Sequence, residues 1–144
     1  MGTVVLLQAL STFLLTGLSW FVQVVHYPLF HWVPKNEFPK FHSAHVARTN
    51  ILILVLLPIE VVTSAFTAYY GAPGLNHYEW ILGFILTLSI CICTAAVQMP
   101  IHAKLAQEKN DHLIRQLVLS HWIRTILWSA HSALLIRVSV SLQA

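Results

Sequence analysis

Four long apolar stretches occupy most of this chain, and they constrain its fold more than any other feature. A helix of about 20 apolar residues is long enough to cross a bilayer. The predicted spans cover residues 4–25, 49–69, 80–101 and 117–138. Charged residues make up only 9% of the chain, whereas a soluble domain carries about 25%. The chain is therefore predicted to be all-α, a single four-transmembrane-helix bundle covering residues 1–144.

Each apolar stretch carries a row of mainly polar residues at helical spacing. The rows are Gln8, Thr12, Thr16, Ser19, Gln23 and His26; His42, His45, Thr49, Glu60, Thr63 and Thr67; Thr87, Cys91, Thr94, Gln98 and His102; and His121, Arg124, Trp128 and His131. Members of one row lie on one face of their helix. Lipid offers no hydrogen bonds to such groups, so the four faces are predicted to turn toward one another.

The basic residues predict the orientation of the bundle. The segment between spans two and three contains neither Lys nor Arg, whereas the two other connections are basic. Their basic residues are Lys35, Lys40 and Arg48, and Lys104, Lys109 and Arg115. The positive-inside rule therefore predicts that both basic connections are cytoplasmic and that both termini lie on the non-cytoplasmic side.

The charges also limit the functional classes. No charged side chain precedes Lys35, so the basic n-region of a signal peptide is absent and the first segment is predicted to remain as a span. The pI near 9.1 arises from a few dispersed charges. Because they form no basic stripe, nucleic acid is not a predicted partner.

This topology gathers histidines at one membrane face. The residues concerned are His26, His42, His45, His102 and His121, all near the cytoplasmic ends of the predicted spans. Glu60 is expected deeper, about 22 Å from His45 along a continuous helix. His131 is similarly about 15 Å deeper than His121. The interior is thus predicted to contain many polar groups near the cytoplasmic face and fewer deeper in the membrane.

Imidazole is the commonest protein ligand for transition metals, and helix bundles build metal sites from inward side chains. The spacing of His42 and His45 places two imidazoles on adjacent turns. The predicted metal ligands are His26, His42, His45, His102 and Glu60, with iron or copper favoured over zinc. The alternative interpretation is a polar core in which these residues hydrogen-bond to one another. Arg124 is either an interfacial residue that snorkels toward the cytoplasm or the partner of an anion, which would be Glu60 or a substrate head group.

Three segments of the sequence resemble a known family. Gln98-Met-Pro-Ile-His102-Ala-Lys-Leu105, followed by Leu117-Val-Leu-Ser-His-Trp122-Ile-Arg124-Thr125, resembles the last third of the anthrone oxygenase-like membrane domain. The segment 23–30 is similar to its first helix and following loop, and His102 stands where that family has Asn. The resemblance, to an uncharacterised bacterial branch, implies a four-span bundle in the inner membrane that oxidises or oxygenates a hydrophobic substrate.

The leading prediction is a metal-dependent oxidoreductase or oxygenase that acts on a lipophilic small molecule in the cytoplasmic half of the bundle. Glu60, Arg124 and Gln98 are the predicted catalytic residues, of which the last two orient substrate or ligands. One alternative is an electron-transfer protein with b-type haem or a bound quinone, in which His26, His102 and His121 supply the cofactor ligands. Another is proton or metal translocation through Glu60 and His131. A homo-oligomer is compatible with each.

Overall fold

Residues 1–141 form four long helical segments in a computed structural model, which describes side chains as far as residue 138. These segments are α1, Gly2–Trp32; α2, Phe38–Tyr70; α3, His77–Leu105; and α4, Asp111–Ser141. Within the described residues, α1, α2 and α3 are long and apolar enough to cross a membrane. The predictions of an all-helical fold and of membrane-spanning helices are confirmed at this level.

The four helices pack in a ring. α1 packs against α2 and α4, and α3 packs against the same two neighbours, so that α1 and α3 lie diagonally opposite. Every member of the four predicted polar rows is buried or half-buried, which confirms that these faces turn inward. Exposed positions on the helices are mostly large apolar side chains, as lipid contact requires.

Both basic connections lie at the same end of the bundle. The Lys109 ammonium donates hydrogen bonds to the carbonyl oxygens of His31 at 2.7 Å and Val33 at 2.9 Å. The connection after α1 is thereby joined to the connection after α3. The opposite end carries the loop between α2 and α3, where Gly71 and Gly74 adopt the left-handed backbone conformation with φ of 70° and 98°.

Two helices are interrupted by π-helical turns close to the end of the bundle that carries the basic connections. In α1 the turn covers Val22–His26, and in α3 it covers Thr94–Gln98. Each turn lies two residues before a proline, Pro28 or Pro100. Proline has no N–H and its ring clashes with the carbonyl four residues earlier, so one additional residue is accommodated in the turn before it. Both turns contribute side chains to the polar interior.

Candidate functional site

Four imidazoles from three helices meet near the basic end of the bundle. We call His26, His42, His45 and His102 the histidine cluster. The ring centroids of His26 and His45 lie 4.6 Å apart, and those of His42 and His102 lie 5.2 Å apart. The rings of His45 and His102 connect the two pairs at 5.8 Å. The structure thus brings together the four histidines that the sequence predicted to act as one site.

The imidazoles are hydrogen-bonded in pairs. His26 Nε2 lies 2.8 Å from His45 Nδ1, and His42 Nε2 lies 2.9 Å from His102 Nδ1. Tyr27 Oη lies 3.0 Å from His102 Nε2. A neutral imidazole has one donor and one acceptor nitrogen, so a tyrosine hydroxyl that donates to His102 lets His102 donate in turn to His42. The chain then ends at His42 Nδ1, which is buried and has no hydrogen-bond partner among the described residues.

An aromatic layer separates the cluster from the basic end. Phe30 and Phe38 are both 0% exposed, and they pack with Tyr27 in one apolar core cluster. The Phe38 ring stacks on His42 at 5.8 Å between centroids, and the Phe30 ring meets His45 edge-on at 5.2 Å. Sequence reasoning missed these three residues. Tyr27 could have been identified from the sequence, since it lies directly between His26 and Pro28.

His121 lies beside the cluster rather than within its hydrogen-bonded pairs. Its Nδ1 is 3.0 Å from Gln23 Oε1, and the Gln23 amide donates to the Val118 carbonyl at 3.1 Å. Its ring meets the Tyr27 ring edge-on at 5.0 Å. Tyr27 therefore contacts both His102 and His121, two of the residues predicted to bind a cofactor.

Gln98 and Arg124, which were predicted to orient a substrate, lie in different environments. Gln98 is buried, and its amide donates weakly to Ser120 Oγ at 3.4 Å. Arg124 is half-buried, and its Nε is buried with no hydrogen-bond partner in the described part of the chain. Both side chains line one cavity.

That cavity has a volume of about 640 Å³ and extends from the histidine cluster toward Trp128. Its lining is mostly apolar, with His42, His45 and His102 among the polar groups. The lining residues that are also exposed are Ser43, Ala47 and Asn50 on α2, and Met99, Ala103 and Ala106 on or next to α3. Met99–Leu105 packs on α4, and α2 makes its close contacts with α1 and with His77–Cys93. The cavity therefore opens sideways, between α2 and the end of α3.

Glu60 lies in a separate polar centre. Its Oε2 accepts hydrogen bonds from Ser11 Oγ and Thr12 Oγ1, each at 2.7 Å. Its Oε1 lies 3.4 Å from Thr87 Oγ1 and 3.6 Å from His131 Nδ1. Since α2 is one continuous helix, Glu60 is about 22 Å along the axis from His45. The structure does not bring Glu60 to the predicted metal ligands, and the titratable side chain beside it is His131 rather than Arg124.

The histidine cluster is arranged for mutual hydrogen bonding. Among the described residues, no group of three or more His, Cys, Asp or Glu side chains is placed to hold a metal ion. Metal coordination needs the nitrogen lone pairs to converge on one point at about 2.0–2.1 Å. Here four of the ring nitrogens face one another instead. In this arrangement the residues do not fit a metal, and the iron or copper site stays a prediction.

Comparison of the chain with protein-family models, with curated proteins and with solved structures finds no match. The resemblance to the anthrone oxygenase-like domain therefore stays a prediction. Function has to be inferred from the geometry and chemistry of the site itself.

The position of Glu60 predicts that its role is structural. Glu60→Ala should lower the free energy of unfolding by about 2 kcal/mol or more, because Ser11, Thr12 and Thr87 lose a buried acceptor. Glu60→Gln keeps an acceptor oxygen and should cost less. Both variants should leave ligand or metal binding at the histidine cluster unchanged per folded molecule. Thermal unfolding in detergent, together with metal analysis, tests this, and a Glu60→Gln protein that folds but loses metal would contradict it.

Proposed function

We propose that the protein crosses the membrane four times and acts as an oxidoreductase on a lipophilic small molecule. The observation that carries this proposal is the cavity of about 640 Å³, whose opening between α2 and α3 lies at the level where the predicted second span begins and the predicted third span ends. Pockets of a few hundred Å³ with mostly apolar walls and a few polar groups bind drug-sized molecules. In this proposal, a lipophilic molecule at the membrane surface enters the cavity sideways, at that level.

The fourth span in this proposal is α4. It has 31 residues, which corresponds to a length of about 46 Å. It packs beside α1 and α3, and its residues His121, Trp128 and His131 are buried in the bundle. With the basic connections in the cytoplasm, both termini lie on the other side and the histidine cluster lies in the cytoplasmic half. We place the protein in the inner membrane of a bacterium.

The polar end of the cavity supplies proton-transfer groups. Oxidation of a substrate hydroxyl to a carbonyl releases two electrons and two protons. In this proposal a membrane quinone takes both electrons as it becomes the hydroquinone, and a positioned imidazole is the usual acid or base for the protons. The chain from Tyr27 through His102 to His42 passes a proton by exchanging donor and acceptor roles along its hydrogen bonds. Arg124 and Gln98 orient the substrate from the cavity wall in this proposal.

A second candidate retains the predicted metal or haem. It is favoured by the convergence of four imidazoles from three helices and by the buried Nδ1 of His42, which has no partner among the described residues. Iron or copper would require the histidine pairs to separate and their lone pairs to turn to one point. The corresponding electron-transfer alternative is a b-type haem, which two of His26, His102 and His121 would hold, or a quinone bound in the cavity.

The topology is tested by cysteine labelling. In a protein whose Cys91 and Cys93 are replaced by Ser, a membrane-impermeant maleimide added outside intact cells should label Pro73→Cys and should fail to label Asn36→Cys. Both positions are exposed, so accessibility of the side chain does not distinguish them. Permeabilised cells provide the control, in which both variants react. The reverse pattern in intact cells would move the histidine cluster to the external face.

The cavity is tested by narrowing its opening. A decyl-substituted benzoquinone should quench the tryptophan fluorescence of the purified protein in a saturable manner, since Trp128 lines the cavity. Ala103→Phe, at the opening, should weaken this binding about tenfold or more, a loss of about 1.4 kcal/mol. Ala130→Phe, an equally exposed alanine on α4, serves as the matched control and should bind normally. Equal binding by both variants would exclude this route of entry.

Elemental analysis and an optical spectrum of the purified protein separate the candidates. Iron or copper without a Soret band supports the metal site, and its content should fall when His26, His42, His45 or His102 is replaced by Ala. A Soret band supports the haem alternative. Quinone binding to a protein with neither metal nor haem leaves the lipophilic-substrate site in place and removes the second candidate.

A further inference from the structure

Arg124 brings a positive charge into the bundle, and no side chain of the described residues neutralises it. Its guanidinium lines the cavity, its Nε is buried without a hydrogen-bond partner, and no ion pair joins it to a described residue. Arginine remains charged at any physiological pH. A buried charge of this kind is costly unless an anion compensates it.

The acidic side chains are all placed elsewhere. The sequence contains five Asp and Glu residues. Their positions are Glu60 in the separate polar centre, Glu79 paired with Arg137, Asp111 beside His31 and Lys109, and Glu37 and Glu108 exposed. No acidic side chain is therefore left to pair with Arg124.

The other titratable groups near Arg124 do not supply a negative charge. Tyr27, Cys91 and Cys93 lie within electrostatic range of the guanidinium, as do His102 and His121. A tyrosine hydroxyl, a thiol and an imidazole are all uncharged or positive in their ordinary states at neutral pH. The described side chains thus provide no negative charge to pair with Arg124, and a bound anionic molecule can supply one.

We infer that Arg124 binds the anionic oxygen head group of a single-chain amphiphile, a carboxylate or a phenolate, whose apolar tail leaves the cavity between α2 and Met99–Leu105. This inference rests on the proposed function and names its substrate class. The planar guanidinium can donate two parallel hydrogen bonds to a carboxylate, which is the strongest pairing available to it. The apolar lining accommodates the tail.

The depth of Arg124 favours a single-chain molecule over a bilayer phospholipid. Arg124 is seven residues inside the predicted span that begins at Leu117, which places it about 10 Å along the helix from the start of that span. A phospholipid phosphate stays near the membrane surface, so it does not reach this depth. The cavity lining also includes Trp128, which packs with Leu15 and Ile90 in a buried apolar cluster. In this inference, the head group at Arg124 lies between Trp128 and the histidine cluster.

The test compares two probes that differ only in charge. The probes are a fluorescent polyene fatty acid and its methyl ester, added to the protein in nanodiscs of zwitterionic lipid at a pH where the acid is ionised. Binding is measured by energy transfer from tryptophan, with empty nanodiscs as the reference for partitioning. The acid should bind at least tenfold more tightly than the ester, and Arg124→Gln should abolish that difference while leaving the affinity for the ester unchanged.

Two further variants complete the design. Arg124→Lys keeps the positive charge but lacks the planar guanidinium that donates two parallel hydrogen bonds. This variant should retain part of the preference for the acid. Arg115→Gln removes an exposed charge from the same helix and should change neither affinity. If Arg124→Gln does not fold, the inference is tested by the ratio of acid affinity to ester affinity in the wild-type protein and in Arg124→Lys.

Three outcomes would overturn the inference: equal affinity of the wild-type protein for acid and ester, an acid preference that persists in Arg124→Gln, or displacement of the fatty acid by an anionic phospholipid in the nanodisc. A separate result tests the proposed function. That function is wrong if neither the ester nor the decyl benzoquinone binds to the wild-type protein.

Discussion

The inability of lipid to form hydrogen bonds is the constraint on which this structure depends. A hydroxyl, amide or imidazole on a membrane helix has to find its partner on its own backbone or across the bundle. Thr67 donates to Gln8 at 2.9 Å, which joins α2 to α1, and Ser19 bonds with Thr125 at 3.0 Å, which joins α1 to α4. The polar groups that oppose insertion into a bilayer thereby fix the rotation of each helix against its neighbours.

The two polar centres meet this constraint to different degrees. Glu60 is surrounded by donors from α1, α3 and α4, so its carboxyl is satisfied within the protein. Arg124 has no such surroundings, and a large cavity lies beside it. A satisfied buried group stabilises a bundle, whereas an unsatisfied one beside a cavity indicates a place for a ligand. This contrast is the basis for proposing a structural role for Glu60 and a role in ligand recognition for Arg124.

Helical periodicity was sufficient to predict which faces turn inward and that His26, His42, His45 and His102 meet. It did not predict which side chains hydrogen-bond to one another. Periodicity gives the direction of a side chain around its own axis, but a hydrogen bond also depends on the height and tilt of the neighbouring helix. The pairing of histidines with one another and the link between Ser11 and Glu60 follow from those three-dimensional relations. The predicted spans were also shorter than the helices, because α2 continues with polar residues beyond its apolar part to Phe38.

The two π-helical turns have a consequence for how this sequence tolerates change. Each contains one residue more than a regular helix needs, and each lies where the helix presents a predicted site residue inward, His26 in one and Gln98 in the other. Deleting one residue within such a turn restores an ordinary helix and rotates everything on one side of it by about 100°. The histidine cluster is thus held in register by two inserted residues, and the length of these turns constrains the chain as firmly as the identity of its imidazoles.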